Sequence, residues 1–135
     1  MAGARLATGT QNWLSAMQLL DPEADLTRVR LHTGGFFAWY LKVAGNSAIT
    51  FGNHVWFVSE ARKGDIALLA HELVHVAQYR RMGRMRFLTR YGLDLVRAGF
   101  RYSRGLPLEA PAYARQDLAK SILREGGPPP ASVHL

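Results

Sequence analysis

Residues 65–83 read DIALLAHELVHVAQYRRMG. The apolar spacing predicts a helix over 65–81, with Gly64-Asp65 offering an N-cap and Gly83 standing where a C-terminal glycine belongs. Inside it, HELVH supplies His71, Glu72 and His75. At 100° per residue the two histidines lie about 40° apart and one turn along, so both imidazoles reach a single ion. Glu72 is offset enough to stand beside that ion without ligating it. This is the geometry of a zinc-peptidase helix. The plainer alternative is two histidines at i and i+4 that bind nothing. Five histidines and five glutamates in 135 residues make a chance match on the order of one in a hundred.

A catalytic zinc normally takes three protein ligands and leaves a fourth position for water. The histidine that follows closely in metzincins is absent, because the chain continues VAQYRRMGRMRF. The candidate acids downstream are Asp94, Glu109 and Asp117. Asp94 is accounted for by a helical i, i+4 pair with Arg90. Glu109 begins a new helix in PLEAPAYARQ, with small neighbours Ala110 and Ala112 that would let this helix pack close to the first; it is the favoured third ligand, against a plain role as a helix-start acid. Zn2+ on such a set would activate a water, with Glu72 taking its proton as general base and passing it to the leaving amine. Tyr113, His54, His32 and Tyr102 are each candidate donors to the oxyanion. Gln78, at i+7 from His71, returns to the ligand face and can orient a ligand from behind.

Outward from this helix, Ser47 to Phe51 and His54 to Ser59 read as a hairpin turning at Gly52-Asn53. The His54 to Ser59 strand is the candidate edge for an extended peptide. Leu26 to His32 alternates like a half-buried strand, Gln11 to Leu20 like a short helix, and FFAWYLKVA fits helix and strand equally. Downstream, helices are expected from Arg84 to about Ser103 and from Glu109 to about Arg124 with Pro111 in the first turn. The elements predict an α+β domain over 1–125, a small antiparallel sheet packed on the HELVH helix and those that follow, and a disordered Pro/Gly-rich tail over 126–135.

HELVH followed by Glu109-Ala110-Pro111-Ala112 resembles the gluzincins, zinc peptidases with an HExxH helix and a glutamate ligand from a later helix. AHELVHVAQY, AITFGNHVWF and LPLEAPAYAR more closely resemble a small bacterial metallopeptidase-like family called domain of unknown function 4157, over about Leu26 to Leu118. The resemblance implies a minimal zincin-like fold, His71, His75 and Glu109 as zinc ligands, and Glu72 as catalytic base. It supplies no substrate beyond a peptide or protein.

Composition bounds the remaining readings. At 48% hydrophobic and 20% charged residues the chain should fold. No apolar run spans a bilayer, and no signal-peptide core follows the N-terminus. Without cysteine there are no thiolate ligands, disulfides or cysteine nucleophile. The cytoplasm is favoured, with export lacking a cleavable signal as the other expectation. The net charge is +7, and eight arginines lie between Arg80 and Arg104, where Asp94 is the sole acid. On a helical wheel Arg86, Arg90, Arg97, Arg101 and Arg104 form one stripe, separate from Met85, Leu88, Leu95 and Val96. A solvated face explains it most simply. Otherwise an acidic protein or anionic membrane surface is the expected partner, and nucleic acid ranks last. The alternative to an enzyme is thus a zinc-binding or metal-free module that holds a partner through this helix.

Overall fold

A computed structural model describes residues 3–21 and 24–126. Its elements are α1 (Thr8–Ala16), a 3-10 turn (Leu26–Arg28), β1 (Arg30–Thr33), α2 (Gly35–Ala44), β2 (Ala48–Phe51), β3 (His54–Phe57), α3 (Glu60–Lys63), α4 (Ile66–Met82), α5 (Arg84–Arg97) and α6 (Ala110–Arg124). The class is α+β, as expected. The tail lies outside the described residues except Gly126. No helix among the described residues is long and apolar enough to cross a membrane.

The three-stranded sheet is mixed rather than wholly antiparallel. Its order is β1-β3-β2, with β1 parallel to β3 and β2 antiparallel to it. The hairpin turns at Gly52-Asn53 as predicted, with Gly52 at φ 63 in the first central position. The parallel pair follows from FFAWYLKVA, which forms α2 and carries the chain over the sheet. Its period is hidden because both faces are apolar, and Gly45 stops it in the left-handed region. The strand expected over Leu26 to His32 is shorter, since Asp25 caps a 3-10 turn through its bond to Thr27 N. Ala4 pairs with Leu31 and covers the outer edge of β1. β3 is therefore central, and the edge expected at His54 to Ser59 belongs instead to β2.

Helix α4 is the axis of the domain. Asp65 Oδ1 accepts from Ala67 N and Leu68 N at 3.1 Å each and caps it. Every residue from Ile66 to Tyr79 is buried, the signature of a helix enclosed on all sides. Leu69, Leu73 and Val76 join Leu31, Val55 and Phe57 of the sheet and Leu14 of α1 in one core. On its other side α4 meets α6, where Ala112 and Ala119 are fully buried and allow close approach; Ala110, expected to share that role, is exposed. Two helices end earlier than their apolar pattern suggests. α1 begins at Thr8 and stops at Ala16 because Gln18 turns left-handed, and Leu19 reaches the core from the turn. α5 stops at Arg97 because Gly99 and Phe100 have φ near +65° (67 and 63). Arg101 and Arg104 are consequently off the helix, and the five-arginine stripe is broken after Arg97.

Candidate metal centre

α4 contributes His71, Glu72 and His75, all buried, with ligand atoms within 4.8 Å of one another. The N-cap position of α6 supplies a fourth group, Glu109. Leu106 O accepts from both Glu109 N and Ala110 N at 2.8 Å, which turns the chain into the helix and aims the buried Glu109 side chain at α4. Glu109 Oε1 lies 3.0 Å from His75 Nε2 and 3.2 Å from His71 Nε2. Glu72 Oε2 stands 3.5 Å from His71 Nε2.

The rear of each imidazole is fixed. His75 Nδ1 lies 2.8 Å from Gln78 Oε1, while Gln78 Nε2 donates to Leu108 O at 3.0 Å. A carbonyl accepts only, so the amide oxygen faces His75 and Nδ1 donates. His71 Nδ1 lies 2.9 Å from Gln116 Oε1. Tyr91 Oη donates to Glu109 Oε2 at 2.7 Å, leaving Oε1 toward the histidines. Thr50 Oγ1 donates to Glu72 Oε1 at 3.0 Å, leaving Oε2 toward the centre.

This donor set fits a zinc ion. Neutral imidazoles with Nδ1–H committed behind present Nε2 lone pairs in front. Bonds of 2.0–2.1 Å in tetrahedral array put ligand atoms about 3.3 Å apart, close to the 3.0 and 3.2 Å separations between Glu109 and the two histidines. With no cation the same atoms form an ion pair. Burial by itself would lower the His75 pKa, but the hydrogen bond to Glu109 and the charges of Glu72 and Glu109 outweigh it and raise it to about 9. Burial would raise Glu109, yet hydrogen bonds from His71, His75 and Tyr91 hold it well below the carboxylate range.

The centre lies in a cleft of about 700 Å³. β2 and the preceding Asn46 and Ser47 line it, with Tyr40 of α2, Leu88 of α5, and Tyr102 and Tyr113. Tyr113 meets the His71 ring edge-on at 4.5 Å, and its hydroxyl lies 2.6 Å from that of Tyr102. The exposed Tyr102 hydroxyl is protonated at neutral pH and is available as a donor. His54 and His32 do not reach this cleft. Both lie on the other face of the sheet, Nδ1 of His54 2.9 Å from Nε2 of His32 and each stacked on Trp56, so the expected donor role for them is not supported by position. Asp94 is paired with Arg90 at 3.1 Å, and Asp117 with Arg104 at 2.7 Å, outside the cluster. Arg104 also covers the Tyr113 ring at 4.5 Å.

Sequence reasoning passes over Gln116, Tyr91 and Thr50. Gln116 stands at i+7 from Glu109, the same arithmetic that singles out Gln78 from His71. Thr50 is the one hydroxyl within the strand AITF. Tyr91, on α5, meets Glu109 only across elements.

Residues 17–83 match the family model of the eCIS core domain, a zincin-like domain of extracellular contractile injection system proteins. The match covers just under half of the chain and ends at the close of α4, before Tyr91, Glu109 and Gln116. What stands of the expected resemblance is its zincin-like character with the buried His-Glu-x-x-His group. No curated protein and no solved structure matches the chain.

Proposed function

We propose that the chain is a zinc-dependent peptidase in which His71, His75 and Glu109 hold the ion and Glu72 is the general base. One observation carries this reading: two Nε2 atoms meet one carboxylate oxygen while both Nδ1 atoms are committed to amide oxygens. Bound there, Zn2+ would supply the Lewis acidity that activates water and polarises a peptide carbonyl. Glu72 Oε2, free of the Thr50 bond and directed to the centre, takes the proton of the attacking water and returns it to the leaving amine. The Tyr102–Tyr113 hydroxyl pair stands in the cleft as the oxyanion donor. β2, with its outer edge unpaired among the described strands, offers main-chain groups to an extended peptide. The family match over 17–83 supports the zincin-like character of the helix and leaves the reaction open.

Glu72→Gln tests the role assignment. The variant is expected to retain about one zinc per chain by elemental mass spectrometry. Its cleavage of a mixed peptide library is expected to fall by a factor of about 10² to 10⁴ relative to the zinc-loaded parent. Equal cleavage by the two proteins removes Glu72 from the chemistry. Zinc binding without cleavage by either assigns the centre to the non-catalytic module that holds a partner.

A further inference from the structure

α2 commits only part of its apolar surface to the fold. Phe37 stacks on Trp56 with ring centroids 4.2 Å apart, and Leu41, one turn on, is fully buried. Phe36, Trp39, Tyr40 and Val43 share a different face at i, i+3, i+4 and i+7. That face is open, with Phe36 67%, Trp39 61% and Val43 69% exposed. Contiguous exposed apolar surface of this kind marks a contact site. α5 repeats the pattern: Met85, Leu88 and Val96 are exposed along one face, and Arg86 and Arg97 on the face beside it. The cleft joins the two helices, lined by Tyr40 from α2 and by Leu88 from α5.

Charge selects the occupant. Between Asp25 and Glu60 the sequence has no acid, while Arg28, Arg30 and Lys42 lie within it. The one acid of α5, Asp94, is buried and paired with Arg90. Arg86, Arg97 and Arg101 have no ion-pair partner among the described residues. A second copy seated on α2 would press together two acid-free faces of a +7 chain, which like-charge repulsion opposes. Nucleic acid would meet the arginines of α5 through its phosphates but would leave the exposed Phe36 and Val43 of α2, whose single cation is Lys42, without an apolar partner. Aromatic side chains beside exposed cations are what the boundary of an anionic bilayer accommodates.

We infer that the cleft face docks on an anionic lipid surface, with Phe36, Trp39 and Val43 entering the headgroup–acyl boundary and Arg86, Arg97 and Arg101 meeting the headgroups. The inference concerns the surface around the cleft and does not rest on the peptidase reading.

Of the three tryptophans, Trp13 and Trp56 are buried and Trp39 is exposed, so a change of emission on adding lipid reports α2. The full chain is titrated with vesicles of phosphatidylcholine alone and with about 30% phosphatidylserine, at low and near-physiological salt. The expected result is blue-shifted emission and co-sedimentation with the anionic vesicles, both weakened by salt. Phe36→Ser with Val43→Ser should weaken partitioning about tenfold or more. Arg86→Ser with Arg97→Ser should weaken it several-fold and flatten the salt dependence. Circular dichroism verifies that these surface variants stay folded. Absence of any shift or co-sedimentation with anionic vesicles overturns the inference, as does partitioning that neither double variant alters. A dimer in solution that Phe36→Ser with Val43→Ser dissolves, with vesicles ignored, gives the face to a second copy. Capture of polyglutamate with vesicles ignored gives the arginines to an acidic polypeptide. Either result overturns the lipid assignment.

Discussion

The domain holds two pairs of histidines at the same spacing, and their surroundings give them opposite chemistry. The ring centroids of His71 and His75 are 5.1 Å apart, and so are those of His32 and His54. The sheet pair turns its nitrogens on itself, is stacked on Trp56, and feels cations, Lys63 at His32 and Arg84 and Arg30 at His54. The helix pair turns Nδ1 back to Gln116 and Gln78 and brings both Nε2 atoms to Glu109. Proximity of imidazoles is thus no measure of a metal site. An acceptor behind each ring and an anion in front are what distinguish α4 from the sheet.

The largest effect that separates the pairs is loss of the anion. Glu109→Ala should lower zinc affinity by a factor of about 10² to 10³, because the roughly 10–16 kcal/mol of a structural zinc is shared among about four ligands. His54→Ala should leave zinc content after identical dialysis unchanged. The contrast collapses if His54→Ala releases the metal, or if Asp94→Ala does so while Glu109→Ala retains it.

Removing an acceptor behind a ring sharpens the comparison at smaller amplitude. Gln116→Leu leaves His71 free to rotate and to shift its proton to Nε2, and should cost about 10- to 100-fold in zinc affinity by competition titration. Gln116→Glu keeps an acceptor for Nδ1–H and should retain or raise the affinity. Equal losses in both variants would mean that Gln116 acts through packing instead of through the ring nitrogen.

The helix pair is legible in the sequence and the sheet pair is not, for a physical reason. His71, Glu72, His75 and Gln78 share one helix, where 100° per residue fixes their relation before any packing is known. Glu109 is singled out by its place at a helix start beside Gly105 and Pro107, although only packing brings that start to α4. Thr50, Tyr91 and Gln116 act across elements, so no spacing within a segment reveals them. His32 and His54 come together through the parallel pairing of β1 with β3. That pairing is hidden while FFAWYLKVA fits helix and strand alike, since a parallel pair needs a crossover connection and here α2 is part of it. The same apolar faces that obscure the period of α2 leave Phe36, Trp39 and Val43 exposed.

The smallest effect is one of pH, and it belongs to the sheet pair. Burial is the main cause that lowers His32 below its ordinary 6.5, followed by the charge of His54; burial likewise leads for His54, with Arg84 and Arg30 adding to it. Both are therefore neutral in the fold at pH values where the unfolded chain already binds their protons. The stability they contribute is complete above 6.5 and declines as pH falls from there toward the lower folded values. Each proton is worth at most about 1.4 kcal/mol per pH unit in that window. The measurement is the urea midpoint between pH 7.5 and 5 in the Glu109→Ala background, where competition between protons and zinc does not enter. Adding His54→Phe, which keeps a ring against Trp56 and removes one titrating group, should make the acid-side decline shallower. An unchanged slope would show that the sheet pair is protonated as readily folded as unfolded, and would erase the electrostatic half of the contrast with α4.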